Sequence, residues 1–146
     1  MFHVSGYTRS ALVLCAMVLC SCSGSGKEIE RAAVSGTVTY DGEPLAEGSI
    51  QFLPDVNSAG KPLSGKAVQA IISDGAYSLN ADEGPTVGMN KIMVNASKKT
   101  GKFQNFDGKK TEITKPFIPA KYNVDSTLKF DVRADGNTAD FALEAK

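Results

Sequence analysis

Residues 34–54 read VSGTVTYDGEPLAEGSIQFLP, and this stretch decides the fold. Val34, Gly36, Val38 and Tyr40 alternate with Ser35, Thr37 and Thr39, so a strand here has one apolar and one polar face. Asp41-Gly42 breaks the run, because glycine tolerates positive φ and aspartate bonds its own backbone. Pro44 follows, and Ile50 and Phe52 resume the alternation. Two strands cannot bury the apolar face they share, so the chain must supply more.

The same period-2 pattern predicts strands over residues 33–40, 49–53, 66–72, 76–80, 90–96, 127–132 and 138–143. Their inward sets are Val68, Ala70 and Ile72; Tyr77 and Leu79; Ile92, Val94 and Ala96; Leu128, Phe130 and Val132; Phe141 and Leu143. Turn-forming clusters fall between them, at residues 55–65, 73–75, 82–88 and 135–137. No stretch has a convincing 3.6-residue apolar period. Short strands at this spacing predict an all-β sandwich of about seven strands. Residues 97–117 interrupt the pattern and read as a long polar loop between two strands.

The opening stretch resembles the start of a carboxypeptidase regulatory-like domain, a transthyretin-like relative of the Ig-like sandwiches. Val34, Gly36, Val38, Asp41, Gly42, Pro44, Leu45, Ile50, Phe52 and Pro54 carry the likeness. A second signature matches at Asp74, Gly75, Tyr77 and Leu79, and a third, looser one at Gly88, Lys91, Ile92 and Val94. Residues 118–122 and 126–132 resemble the C-terminal half of small envelope lipoproteins from planctomycete-type bacteria. The resemblance runs from Ala33 to the end and implies a fold more than an activity. By the resemblance, the peptidase that gives the family its name belongs to a different domain, which is not expected here.

Length and composition frame the rest. The chain has 146 residues, one domain's length, and a formal net charge of zero. Residues 11–19, ALVLCAMVL, are apolar. A helix of that length rises about 13.5 Å, far short of a hydrocarbon core of about 30 Å, so the segment reads as the core of a signal peptide. Leu19-Cys20-Ser21-Cys22 resembles a bacterial lipobox, with an apolar residue at −3 and a small one at −1. By that resemblance Cys22 becomes the acylated N-terminus. Cleavage before Cys20 would place bulky Leu19 at −1, which disfavours it; a signal cut without lipidation is the plainer alternative. Ser23-Gly24-Ser25-Gly26 then reads as a flexible tether. The expected organisation is a signal peptide over 1–21, a lipidated N-terminus and linker over 22–32, and the sandwich over 33–146. More than one acyl chain makes membrane anchoring stable. Ser23 after the cysteine carries no retention-type acid, so an outer membrane or cell surface is the expected address.

Composition also excludes chemistry. The three cysteines and the one histidine all lie within the first 22 residues. The remainder therefore has no disulfide framework, no Cys–His or Ser–His–Asp arrangement and no histidine-based zinc or copper site. Ser64-Gly65-Lys66 and Ser97-Lys98 are local serine–lysine pairs outside any nucleophile motif. Asp41, Asp74, Asp82, Glu83 and Asp135 lie at turns without calcium-loop spacing. No catalytic residue, cofactor or metal ligand is expected, and with 15 basic against 16 acidic residues after the signal, no nucleic acid.

The candidate contact residues lie in the polar insertion: Lys98, Lys99, Lys102, Phe103, Phe106, Lys109 and Lys110. Three readings stand beside one another. The first is a solvated, disordered loop. The second is contact with anionic lipid headgroups or surface polymers, since clustered lysines near such a surface contribute about 1 kcal/mol each. The third is protein docking, with Phe103, Phe106 and Phe117 as apolar anchors. The expected function is a lipid-anchored, non-enzymatic envelope module that binds or scaffolds. A carbohydrate- or surface-polymer-binding accessory module is its alternative.

Overall fold

A computed structural model describes residues 28–57 and 59–146. The expected cleavage region and Cys22 lie outside the described residues. The chain is an all-β sandwich, as the alternation predicts. Its strands are β1 (Val34–Tyr40), β2 (Glu43–Pro44), β3 (Glu47–Pro54), β4 (Val68–Ser73), β5 (Ala76–Leu79), β6 (Gly88–Asn95), β7 (Ser97–Phe106), β8 (Lys109–Pro116), β9 (Lys129–Val132), β10 (Asn137–Thr138) and β11 (Phe141–Leu143). One 3₁₀ turn, Ala120–Tyr122, follows β8.

The main sheet runs β10-β1-β5-β4-β3-β6-β9, with β11 and β2 also on β1. Strands β4 and β5 share a single register pair, Ser73 with Ala76. The sheet folds over at that weak seam, and β1, β5 and β11 face β4, β3, β6 and β9. Val34, Val38, Tyr77 and Leu143 fill the core from one side; Ile50, Phe52, Ile72, Ile92, Val94 and Val132 fill it from the other. Phe52 and Tyr77 meet across it with ring centroids 6.1 Å apart, and Phe130 meets Phe141 edge-on at 6.4 Å. All the expected inward residues are buried or half-buried.

Asp-Gly dipeptides build the hairpins. Asp41 and Gly42 have φ of 51° and 85°, and Asp74 and Gly75 have 50° and 79°. Positive φ at both central residues is the primed turn whose twist suits a two-residue hairpin.

The predicted strand over 138–143 is divided. Ala139 and Asp140 leave the ladder between β10 and β11, both of which run parallel to β1. Side chains hold the break. The Tyr77 hydroxyl donates to the Ala139 carbonyl at 2.7 Å. Asp140 Oδ1 accepts from the Thr37 backbone N–H at 2.7 Å and from the Thr37 hydroxyl at 2.9 Å. Gly36 is required there, because a Cβ would collide with the Ala139 carbonyl.

The two ends of the sandwich differ. The chain arrives at one end, where Ala32 N–H donates to Pro85 O, Val87 N–H to Glu30 O, and Arg31 bridges Thr86. Ala32 is fully buried, so the body's pairing begins at Glu30. We call this the entry pole. Strand β6 starts there at Gly88 and reaches Asn95 at the other pole, about 23 Å away at 3.3 Å per residue.

Candidate functional site

At the far pole the expected loop is a correction: it is a β-hairpin. Strands β7 and β8 pair antiparallel from Ser97–Pro116 at the root to Phe106–Lys109 at the tip. Asp107 and Gly108, with φ of 52° and 75°, form the third Asp-Gly turn of the chain. A register shift between Lys99 and Phe103 is held by Thr100, whose hydroxyl donates to Ile113 O at 2.6 Å, and by Glu112, whose carboxylate accepts from the Gly101 N–H at 3.1 Å. The hairpin is rooted where Phe117 N–H donates to Ala96 O and the Phe117 ring meets Tyr40 edge-on at 5.4 Å. Beyond the root, β7 and β8 pack chiefly on each other. Every residue of β7 is exposed, and in β8 Glu112 alone is half-buried. The hairpin is thus an arm about 30 Å long that leaves the body at the pole opposite the arriving chain.

Six lysines lie on the arm against Asp107 and Glu112, a net charge of +4. The other described residues carry eight basic and fourteen acidic side chains, a net charge of −6. Asp41, Glu43, Glu47, Asp74 and Glu144 are exposed around the arm's own pole. Among the described residues the one ion pair between side chains is Lys129–Asp55 at 2.6 Å, so no side-chain carboxylate pairs with the arm lysines. Two of them lie over rings: Lys98 over Phe117 at 4.4 Å and Lys110 over Phe103 at 4.5 Å.

The register sorts the expected contact residues. Alternation along unbulged β8 puts Lys110 and Glu112 on one face with Phe103 and Asn105, and Lys109, Thr111, Ile113 and Lys115 on the other with Lys98, Gln104 and Phe106. Lys99, opposite Thr114, is on the first face. Lys102 lies in the bulge. The seven contact residues therefore belong to one element but to both of its faces. Phe106, next to the turn, is 75% exposed, and Phe103 is 53% exposed.

The serine–lysine pairs do not converge. Ser97 and Lys98 are consecutive in β7 and point to opposite faces. Ser64 and Lys66 are exposed in the connection between β3 and β4. The acidic turns are scattered. Asp41 and Asp74 stand at the arm pole, where Asp41 Oδ1 accepts from the Ala145 N–H at 2.8 Å; Asp82 and Glu83 stand beside the arriving chain. Among the described residues no cluster of three metal-ligating side chains forms, and no helix is long and apolar enough to cross a membrane.

What sequence reading missed is the hairpin itself. The signal was present: Asp107-Gly108 repeats the dipeptide of the other two hairpins. Apolar alternation was missing because neither face of the arm is buried. Comparison with protein-family models, curated proteins and solved structures finds no match.

Proposed function

We propose that the chain is a lipid-anchored, non-enzymatic module of the cell envelope that holds a partner with its basic arm. One observation carries the reading. A hairpin that contributes little to the core presents six lysines and two exposed phenylalanines at the end of the body farthest from the tether. A two-stranded hairpin is marginal in water by itself, so a long one that buries little against its own body is best explained by what it meets. The carboxypeptidase regulatory-like resemblance stays with the sequence motifs; within them Asp41-Gly42 and Asp74-Gly75 form turns and Tyr77 bonds the Ala139 carbonyl. The address rests on the lipobox resemblance at Cys22.

In-cell crosslinking followed by affinity purification tests this. Three forms are compared: wild type, Cys22→Ser, and a variant with residues 98–115 replaced by Asn-Gly. Wild type is expected in the membrane fraction with a specific partner. Cys22→Ser is expected to be released, and the armless variant to stay anchored without the partner. Retention of Cys22→Ser in the membrane would refute the anchor, and an unchanged partner in the armless variant would refute the arm.

A further inference from the structure

We infer that the arm's partner is an acidic polysaccharide, an anionic sugar chain that wraps the hairpin; this rests on the arm being the binding element. Three observations select it.

The first is the placement of charge. Lysines lie on both faces and from root to tip, with Lys99 and Lys110 on one side and Lys98, Lys109 and Lys115 on the other. A flat bilayer can engage one face or the tip, which leaves half the cations unused. A flexible polyanion engages both.

The second is reach. If Cys22 is anchored, the chain from it to Glu30 spans at most about 30 Å fully extended. Bringing the tip to that same membrane end-on would require the length of the sandwich plus the arm, about 53 Å. The tip is thus directed away from the anchoring bilayer. Asp107 at the turn also opposes tip-first insertion among anionic headgroups.

The third is chemistry. Lysine is a compact charge without arginine's bidentate fork, and the arm has no arginine. A row of such point charges suits anionic groups spaced along a polymer, and exposed Phe103 and Phe106 offer ring faces to sugar C–H groups. Arm-to-arm pairing of two copies is disfavoured, because +4 would meet +4 along the hairpins; the arm against a second copy's acidic body is the occupant that sedimentation tests. The acidic side chains around the root bias a polyanion outward; at about 30 Å they are beyond several Debye lengths of about 8 Å and do not reach the tip.

The experiment uses the full chain in detergent on immobilised polygalacturonate, with neutral dextran and phosphatidylglycerol-containing vesicles as comparisons and sedimentation run in parallel. Wild type is expected to bind polygalacturonate and not dextran, with affinity that falls as salt rises. The exposed triple variant K102Q/K109Q/K110Q should keep its melting temperature and bind about a hundredfold more weakly. F103A/F106A should bind several-fold more weakly. Equal binding by the triple variant, vesicle binding stronger than polygalacturonate binding, or self-association as the sole interaction overturns the inference. If polygalacturonate fails while armless protein still loses its in-cell partner, the arm remains the binding element and only the polymer is wrong.

Discussion

Gly36 and Tyr77 act on one stretch of backbone. Ala139 passes so close to β1 that position 36 has no room for a side chain, and its carbonyl takes the Tyr77 hydroxyl. Gly36→Ala should cost about 3 kcal/mol, read as a lower urea midpoint at unchanged slope. Tyr77→Phe should cost about 1 kcal/mol through the lost bond. Tyr77 also sets a pH limit. Burial first, and the charge of Asp140 second, push its phenol well above the usual range. A raised folded value means the contribution is complete below the unfolded value of about 10 and is lost as pH rises beyond it. Wild type should therefore destabilise more steeply than Tyr77→Phe above about pH 10 in chemical melts; parallel curves would contradict this. Alternation in the sequence placed Tyr77 inward. Its partner, 62 residues away, has no local signature, so the hydrogen bond was not legible.

The strands were legible where burial imposes a period, and the arm was not because it buries neither face. β1, β3, β4, β5 and β6 follow their predicted stretches within two or three residues. In the sequence, residues 138–143 look like one strand because Phe141 and Leu143 alternate, and the break at Ala139 and Asp140 depends on Thr37 and Tyr77 from other strands. Residues 97–116 look like loop because a hairpin exposed on both sides has no apolar side to display. The arm should therefore be separable from the body in energy. Gly108→Ala forces alanine into a left-handed φ of 75° and should cost the hairpin about 1 kcal/mol. Hydrogen exchange should quicken along β7 and β8 while the amides of β1, β3 and β6 keep their protection. Loss of protection in the sandwich would mean that the arm supports the core.

At the scale of the molecule, charge and geometry point the same way. A body of −6 carries an arm of +4, and the arm leaves from the end opposite the arriving chain. A count of the whole sequence conceals this, because the two sum almost to neutrality; only the hairpin's departure from the body separates them. The contact residues were legible as a basic, phenylalanine-bearing segment. Their division between two faces required the register.

The most direct measurement places a photo-crosslinking residue at Phe106 and, separately, at Ile71, which is 70% exposed on β4 of the body. Both variants are irradiated in living cells. A binding arm requires adducts from position 106 that are absent from position 71. The same adducts from both positions, or adducts from Ile71 alone, would contradict it and move the binding surface to the sandwich.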